Sequence, residues 1–221
     1  MMEGRYATYR PIHKAMRYVL FKASQKVSLA DFGDDADVTE VLEVVELMIS
    51  VLRVHRVNED KYVHPPAESR IPGITAAFAE DHEEDIALSN EVQGIAGQIR
   101  SANGSERIAL GIKLHERLND YIGIYLGHLY REETMMQQAL WDNFTDEELS
   151  AIDKEIVANV TPPERVEFLP VMCASYSAEE IAPILGRIKA NAPAEFVEFA
   201  LKAAEENLPP RSWAKVKALL S

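Results

Sequence analysis

Apolar residues recur at helical spacing along nearly the whole chain, and the strict alternation of a half-buried strand is scarce. The first periodic run, IHKAMRYVLFKASQKVSLA, begins at Pro11, a residue suited to a first helical turn. It breaks at Asp31-Phe32-Gly33-Asp34-Asp35. A second helix is predicted from about Val38 to Val63, with Val41, Val44, Val45, Met48, Val51 and Leu52 forming its apolar stripe. His64-Pro65-Pro66 is expected to stop it, because proline cannot continue a helix. The loop PPAESRIPG leads to a third helix, about Ile74 to Arg100. Ser101-Ala102-Asn103-Gly104-Ser105 reads as a turn, and a fourth helix covers about Glu106 to Trp141. These elements predict an all-α, up-down-up-down four-helix bundle over residues 1–144.

The remainder, residues 145–221, has a different texture. Thr145-x-x-Glu148, Thr161-x-x-Glu164 and Ser177-x-x-Glu180 each fit the capping-box pattern. With Ala192-Pro193 and Leu208-Pro209-Pro210 as further breaks, four or five short helices are expected there. Phe168, Leu169, Ile181, Ile184, Leu185, Phe196, Phe199 and Leu201 are too many apolar residues for a free tail. They should pack on one another, on the bundle, or on a second chain or protein partner.

Composition narrows the function classes. The 221 residues carry a formal net charge of −13, which argues against nucleic acid and against an anionic membrane surface. No stretch approaches the roughly 18–20 apolar residues of a membrane span. The start, MMEGRYATYRP, lacks the apolar core of a signal peptide. One cysteine, Cys173, allows neither a disulfide framework nor a cysteine zinc site. A cytoplasmic protein is the expectation. Neither GxGxxG nor GxxxxGK[ST] occurs.

The chemistry lies in the histidines. His55 and Glu59 are four residues apart, and His128 and Glu132 repeat that spacing. On a helix such residues share a face. His13 and His82 stand on the other two long helices. In an antiparallel bundle, two residues at one height are equidistant from the turn between them. The midpoints of His13 with His55, His55 with His82, and His82 with His128 fall at 34, 68–69 and 105, each inside an expected break. Four imidazoles and two carboxylates thus converge, a set suited to iron, manganese or zinc. His115 falls far round its helix from His128 and reads as a surface residue. His64, nine residues after His55, falls on the opposite face and reads as a helix-end residue. Neither is expected to be a ligand.

The segments IHKAM, HRVNED, EDHEEDI and HLYREE, around His13, His55, His82 and His128, resemble the haemerythrin-like HHE cation-binding domain over roughly residues 8–142. That resemblance implies a four-helix bundle with a non-haem di-iron centre, two Fe ions, with zinc or manganese as alternatives. It implies Glu59 and Glu132 as bridges, and His13, His55, His82 and His128 as terminal ligands. Oxygen-carrying members have a second histidine one turn after that on the third helix; here Ile86 stands there. Asp85, or Glu83 with some rotation, is a candidate substitute. Tyr9 and Tyr62 can flank the site.

Three functions remain open at this point. The first is a di-iron protein that binds dioxygen or another small ligand, or senses oxygen, iron or redox state. The second is a di-iron enzyme: an oxidase, a peroxidase or a stress-repair factor. The third is a helical interaction protein with incidental histidines. The first is preferred, since no nucleophile motif or phosphate loop is present.

Overall fold

The computed structural model describes residues 4–220, with no strand among them. The chain forms two compact units. One takes the chain up to Tyr9 together with Val19–Ala158, and the other takes Arg10–Tyr18 together with the chain from Asn159 onward.

The first unit is a helical bundle. Its long members are the later part of α1 (Arg10–Leu29), α2 (Asp35–Asn58), α4 (Ala76–Ser101) and α5 (Gly104–Arg131). Val19, Leu20, Ala23 and Val27 of α1, Val41, Val45, Met48, Val51 and Leu52 of the α2 stripe, and Leu88, Val92, Ile95 and Ile99 of α4 are all buried, while Val44 is half-buried. Leu114, Leu118 and Leu129 bring α5 into the same core. Asp34 caps α2, its carboxylate accepting from the N–H groups of Ala36 and Asp37.

At the Phe32 break, the Phe32 ring lies against Gly111 of α5. Arg107 clamps the same loop. Its Nε donates to the Phe32 carbonyl at 2.7 Å and its Nη1 to Asp35 at 2.6 Å.

The second helix does not stop at His64. It opens into a π-helical turn, Glu59–Val63, and resumes as α3 (His64–Arg70). Pro65 and Pro66 sit in the first turn of α3, where a missing N–H is tolerated. The chain turns at Ile71–Thr75 instead. There the Glu68 carboxylate accepts from the N–H groups of Gly73 and Thr75, and Gly73 adopts φ 88°. The fourth long helix behaves alike, with a π-helical turn at Glu132–Met136 and a continuation as α6 (Gln137–Asn143).

The helix α7 (Asp146–Asn159) is the first of the short helices expected after residue 144, yet nearly all of it falls in the bundle unit. Leu149 joins a cluster with Tyr9, Val63, Ala67, Phe78, Met136, Leu140 and Phe144. Arg70 pairs with Glu148, and Arg5 pairs with Asp146 at 2.7 Å.

The second unit holds α8 (Pro162–Ser175), α9 (Ala178–Asn191), α10 (Ala194–Asn207) and α11 (Pro210–Leu220). All three capping boxes form. Glu148, Glu164 and Glu180 accept from the N–H groups of Thr145, Thr161 and Ser177. Lys14 donates to Glu180 at 2.6 Å inside this unit. Cys173 is buried, and burial pushes its thiol up to about 12, so it behaves as a core residue rather than a nucleophile.

A Cβ at Gly111 would run into the Phe32 ring. Gly111→Ala should therefore cost about 1–3 kcal/mol in chemical denaturation, as overpacking does. The same substitution in a Phe32→Ala background should cost much less, because the clashing partner is gone.

Candidate metal centre

Two carboxylates lie in the apolar interior of the bundle. Glu59 is 3% exposed and Glu132 is fully buried. Each opens one of the two π-helical turns. A π turn inserts an extra residue into a helix and often marks a functional site. Here one follows each His-x-x-x-Glu pair, so the pair keeps its straight-helix geometry and the residues beyond it are re-aimed.

Imidazoles face both carboxylates. His55 Nε2 stands 3.3 Å from Glu59 and 3.9 Å from Glu132. His82 Nε2 is 3.4 Å from Glu59, and His128 Nε2 is 3.1 Å from Glu132. The rings of His82 and His128 meet edge-on at 5.1 Å between centroids. These separations exceed the 2.7–2.9 Å typical of a charge-assisted hydrogen bond.

The outward nitrogens are held by a further layer. His82 Nδ1 bonds Asp60 at 2.8 Å, and His128 Nδ1 bonds Asp81 at 3.2 Å. Arg131 Nη2 donates to that same Asp81 oxygen at 2.5 Å. A carboxylate on Nδ1 fixes the tautomer, leaving Nε2 as a lone-pair donor toward the interior. Burial works against the Asp81 charge, but Arg131 and His128 hold its carboxyl below the usual range.

Glu59, His82, His128 and Glu132 each offer a donor atom within 4.8 Å of the others. Opposed donors at about 2.1 Å from a common ion stand about 4.2 Å apart, so this spacing fits a transition-metal cation. Buried imidazole and carboxylate together suit iron, manganese or zinc.

The electrostatics agree. Burial, and then the neighbouring Glu132, push the Glu59 carboxyl above its ordinary range, with His55 and His82 opposing. Burial disfavours a charged His128, but Glu132 and Glu59 outweigh it and push the imidazole up to about 9. Tyr9 and Tyr125 are buried beside the site, and burial, reinforced by the carboxylates, holds both phenols far above their usual range. Tyr9 thus flanks the carboxylates as the sequence suggests. Phe78 and Tyr125 pack their rings on His128, at 6.3 and 5.6 Å between centroids.

His13 is fully buried in α1. His115 is remote from the centre, its Nε2 within 2.9 Å of Ser28 Oγ. Asp85 is buried but already engaged: Tyr121 donates to one oxygen and Arg56, at 2.6 Å, to the other. Glu83 is exposed. Neither is placed as a substitute for the imidazole missing at Ile86.

His64 departs most from expectation. It is 7% exposed, and its ring stacks on His82 at 5.2 Å and 14°. A straight helix would put it opposite His55. The π turn between them takes up one residue of register and swings it inward.

A model of the haemerythrin HHE cation-binding domain matches residues 5–140. The chain belongs to the haemerythrin HHE cation-binding family. Among curated proteins it is similar to F-box/LRR-repeat protein 5 of Mus musculus, 24% identical over 95% of this chain and 30% of that protein. The Xenopus laevis F-box/LRR-repeat protein 5 is 21% identical over 78% of this chain and 25% of its own length. Zinc finger protein BRUTUS of Arabidopsis thaliana is 24% identical over 84% of this chain and 14% of its own. The chain therefore spans less than a third of the length of each of these relatives. No solved structure matches it significantly. Among the described residues no helix is long and apolar enough to cross a membrane.

His128 gives a pH signature for the metal-free protein. A folded-state pKa raised from 6.5 to about 9 adds stability that is present in full below pH 6.5 and lost as pH rises to about 9. Thermal unfolding of the chelator-treated protein should show that decline. His128→Gln should flatten it.

Proposed function

We propose that the protein holds a non-haem di-iron centre and uses it to bind dioxygen or another small ligand, or to sense oxygen, iron or redox state. The observation that carries this reading is the pair of buried carboxylates facing imidazoles from three chain segments. An uncompensated carboxylate in an apolar core costs several kcal/mol, and cations are the compensation that this donor set suits.

Glu59 and Glu132 serve as the shared carboxylates. His82 and His128 complete one metal. His55 would serve the other, and the sequence register offers His13 as a further imidazole. Iron in such a centre supplies reversible binding and electron transfer toward oxygen or a small ligand. Zinc or manganese would fill the same donors without that chemistry or with less of it.

The protein's own residues do the rest. Asp60 and Asp81 orient imidazoles, and Arg131 holds Asp81 in place. Phe78, Tyr125 and Tyr9 exclude water. Tyr9 and Tyr125 stay protonated across the physiological range and keep O–H donors beside the carboxylates.

The likeness to stretches of much longer proteins favours sensing over free carriage. In those relatives the matched stretch is one part of a larger chain. On this reading the C-terminal helices offer a surface for a protein partner or a second copy, and the protein works in the cytoplasm.

Metal analysis joined to an anaerobic-to-aerobic optical spectrum tests the proposal. About two irons per chain, with bands that reverse on deoxygenation, are expected. Bands that decay irreversibly with a reductant would move the protein to the oxidase reading, and absence of metal would end both. Glu59→Ala or Glu132→Ala should lower the content from about two to one or fewer, since a lost bridge leaves adjacent cations less neutralised. Full loading of both variants would remove the bridging assignment.

A further inference from the structure

We infer that Tyr121 is a redox-active residue serving the metal centre. It gives one electron, through Tyr125, to an oxidised iron ion there, and passes its phenolic proton to Asp85. This rests on the di-iron reading above and extends it to residues outside the donor set.

The path follows from spacing on α5. Tyr121, Tyr125 and His128 stand at i, i+4 and i+7, on one inward face, over about 10 Å of helix. Tyr121 and Tyr125 are 1% and 3% exposed. Their rings meet edge-on at 5.9 Å between centroids, and Tyr125 meets His128 edge-on at 5.6 Å. Aromatic contact is thus continuous from His128 to Tyr121.

A phenol that loses an electron becomes a very strong acid. A buried tyrosine is therefore oxidised readily only where a base stands ready for the proton. Tyr121 has that base. Its hydroxyl donates to Asp85 Oδ1, and Asp85 is itself buried on α4, three residues after His82. Arg56 Nη1 donates to the other Asp85 oxygen at 2.6 Å and balances its charge. Once the proton arrives, the remaining positive charge lies on Arg56. That side chain is 13% exposed, so water reaches part of it.

The step balances. The O–H bond of Tyr121 breaks, and the proton joins Asp85 Oδ1. The electron passes by Tyr125 to iron, which falls by one oxidation level. The products are a neutral phenoxyl radical and a carboxylic acid. A one-electron reductant of the ascorbate class, with return of the proton, restores the pair. A group that served only to satisfy Asp85 could be any hydroxyl or amide. A phenol adds the capacity to give up an electron, and the contact with Tyr125 gives that electron a route.

Ferrous iron loaded into the metal-depleted full chain, mixed with hydrogen peroxide and frozen rapidly for electron paramagnetic resonance, provides the test. Peroxide is the oxidant that raises the iron. A phenoxyl signal is expected, and Tyr121→Phe should abolish it with the iron content unchanged. Tyr130→Phe, which removes an exposed phenol, should leave it unchanged. Asp85→Asn keeps an acceptor for the hydroxyl but offers no base, and should slow the appearance of the signal by about a hundredfold. An unchanged rate in that variant would overturn the role of Asp85. Iron uptake without a phenoxyl signal, or a signal that survives Tyr121→Phe, would overturn the relay and leave the metal centre standing. A chain that takes up no iron would overturn the metal centre and the relay with it.

Discussion

The structure depends on two carboxylates placed where water cannot reach them. Glu59 and Glu132 are buried on helices whose apolar residues form the core of the bundle. Burying charge is the most expensive single thing a small core can do. The fold tolerates it because imidazoles converge from α2, α4 and α5 on those oxygens. Without a cation, the His128 imidazole and the Glu59 carboxyl are both pushed up, which favours the protonated form of each. A divalent cation replaces that compromise with direct neutralisation, which makes the site a cation trap rather than a proton store.

Around this centre the protein uses its surface charges for orientation. Asp60 and Asp81 stand at the rim, each with an imidazole to aim. Arg131 restrains Asp81, and Arg56 with Tyr121 restrains Asp85. The acidic run EDHEED on α4 therefore divides. Asp81 and Asp85 turn inward and hold other side chains in position, while Glu80, Glu83 and Glu84 remain solvated. The net charge of −13 hides this division, because composition counts a positioning carboxylate and a solvated one alike.

Much of this was legible from the sequence, for a physical reason. Helical periodicity and the equal-height rule depend only on rise and angle per residue, so the level of His55, His82 and His128 could be read from spacing. Capping boxes depend on three consecutive peptide units, and all three formed. What spacing could not show was a local change in the helix itself. No residue type announces a π turn. Pro65 and Pro66 looked like a terminator and prove to be the opening residues of α3, so the turn moved from the proline pair to Gly73. The same blindness put α7 with the tail, since a capping box marks where a helix begins and not what Leu149 packs against.

The two π turns are also where the twin motifs cease to be equivalent. Both begin at the glutamate of a His-x-x-x-Glu pair, so both preserve the pair and shift the residues beyond it. After Glu132 the shifted residues are Met136 and Leu140, which extend the apolar cluster around Phe78. After Glu59 the re-aimed stretch carries Asp60 and His64, which meet His82. One backbone device at two places therefore gives closure on one side of the centre and polar donors on the other. That difference makes the two sides of the centre unequal.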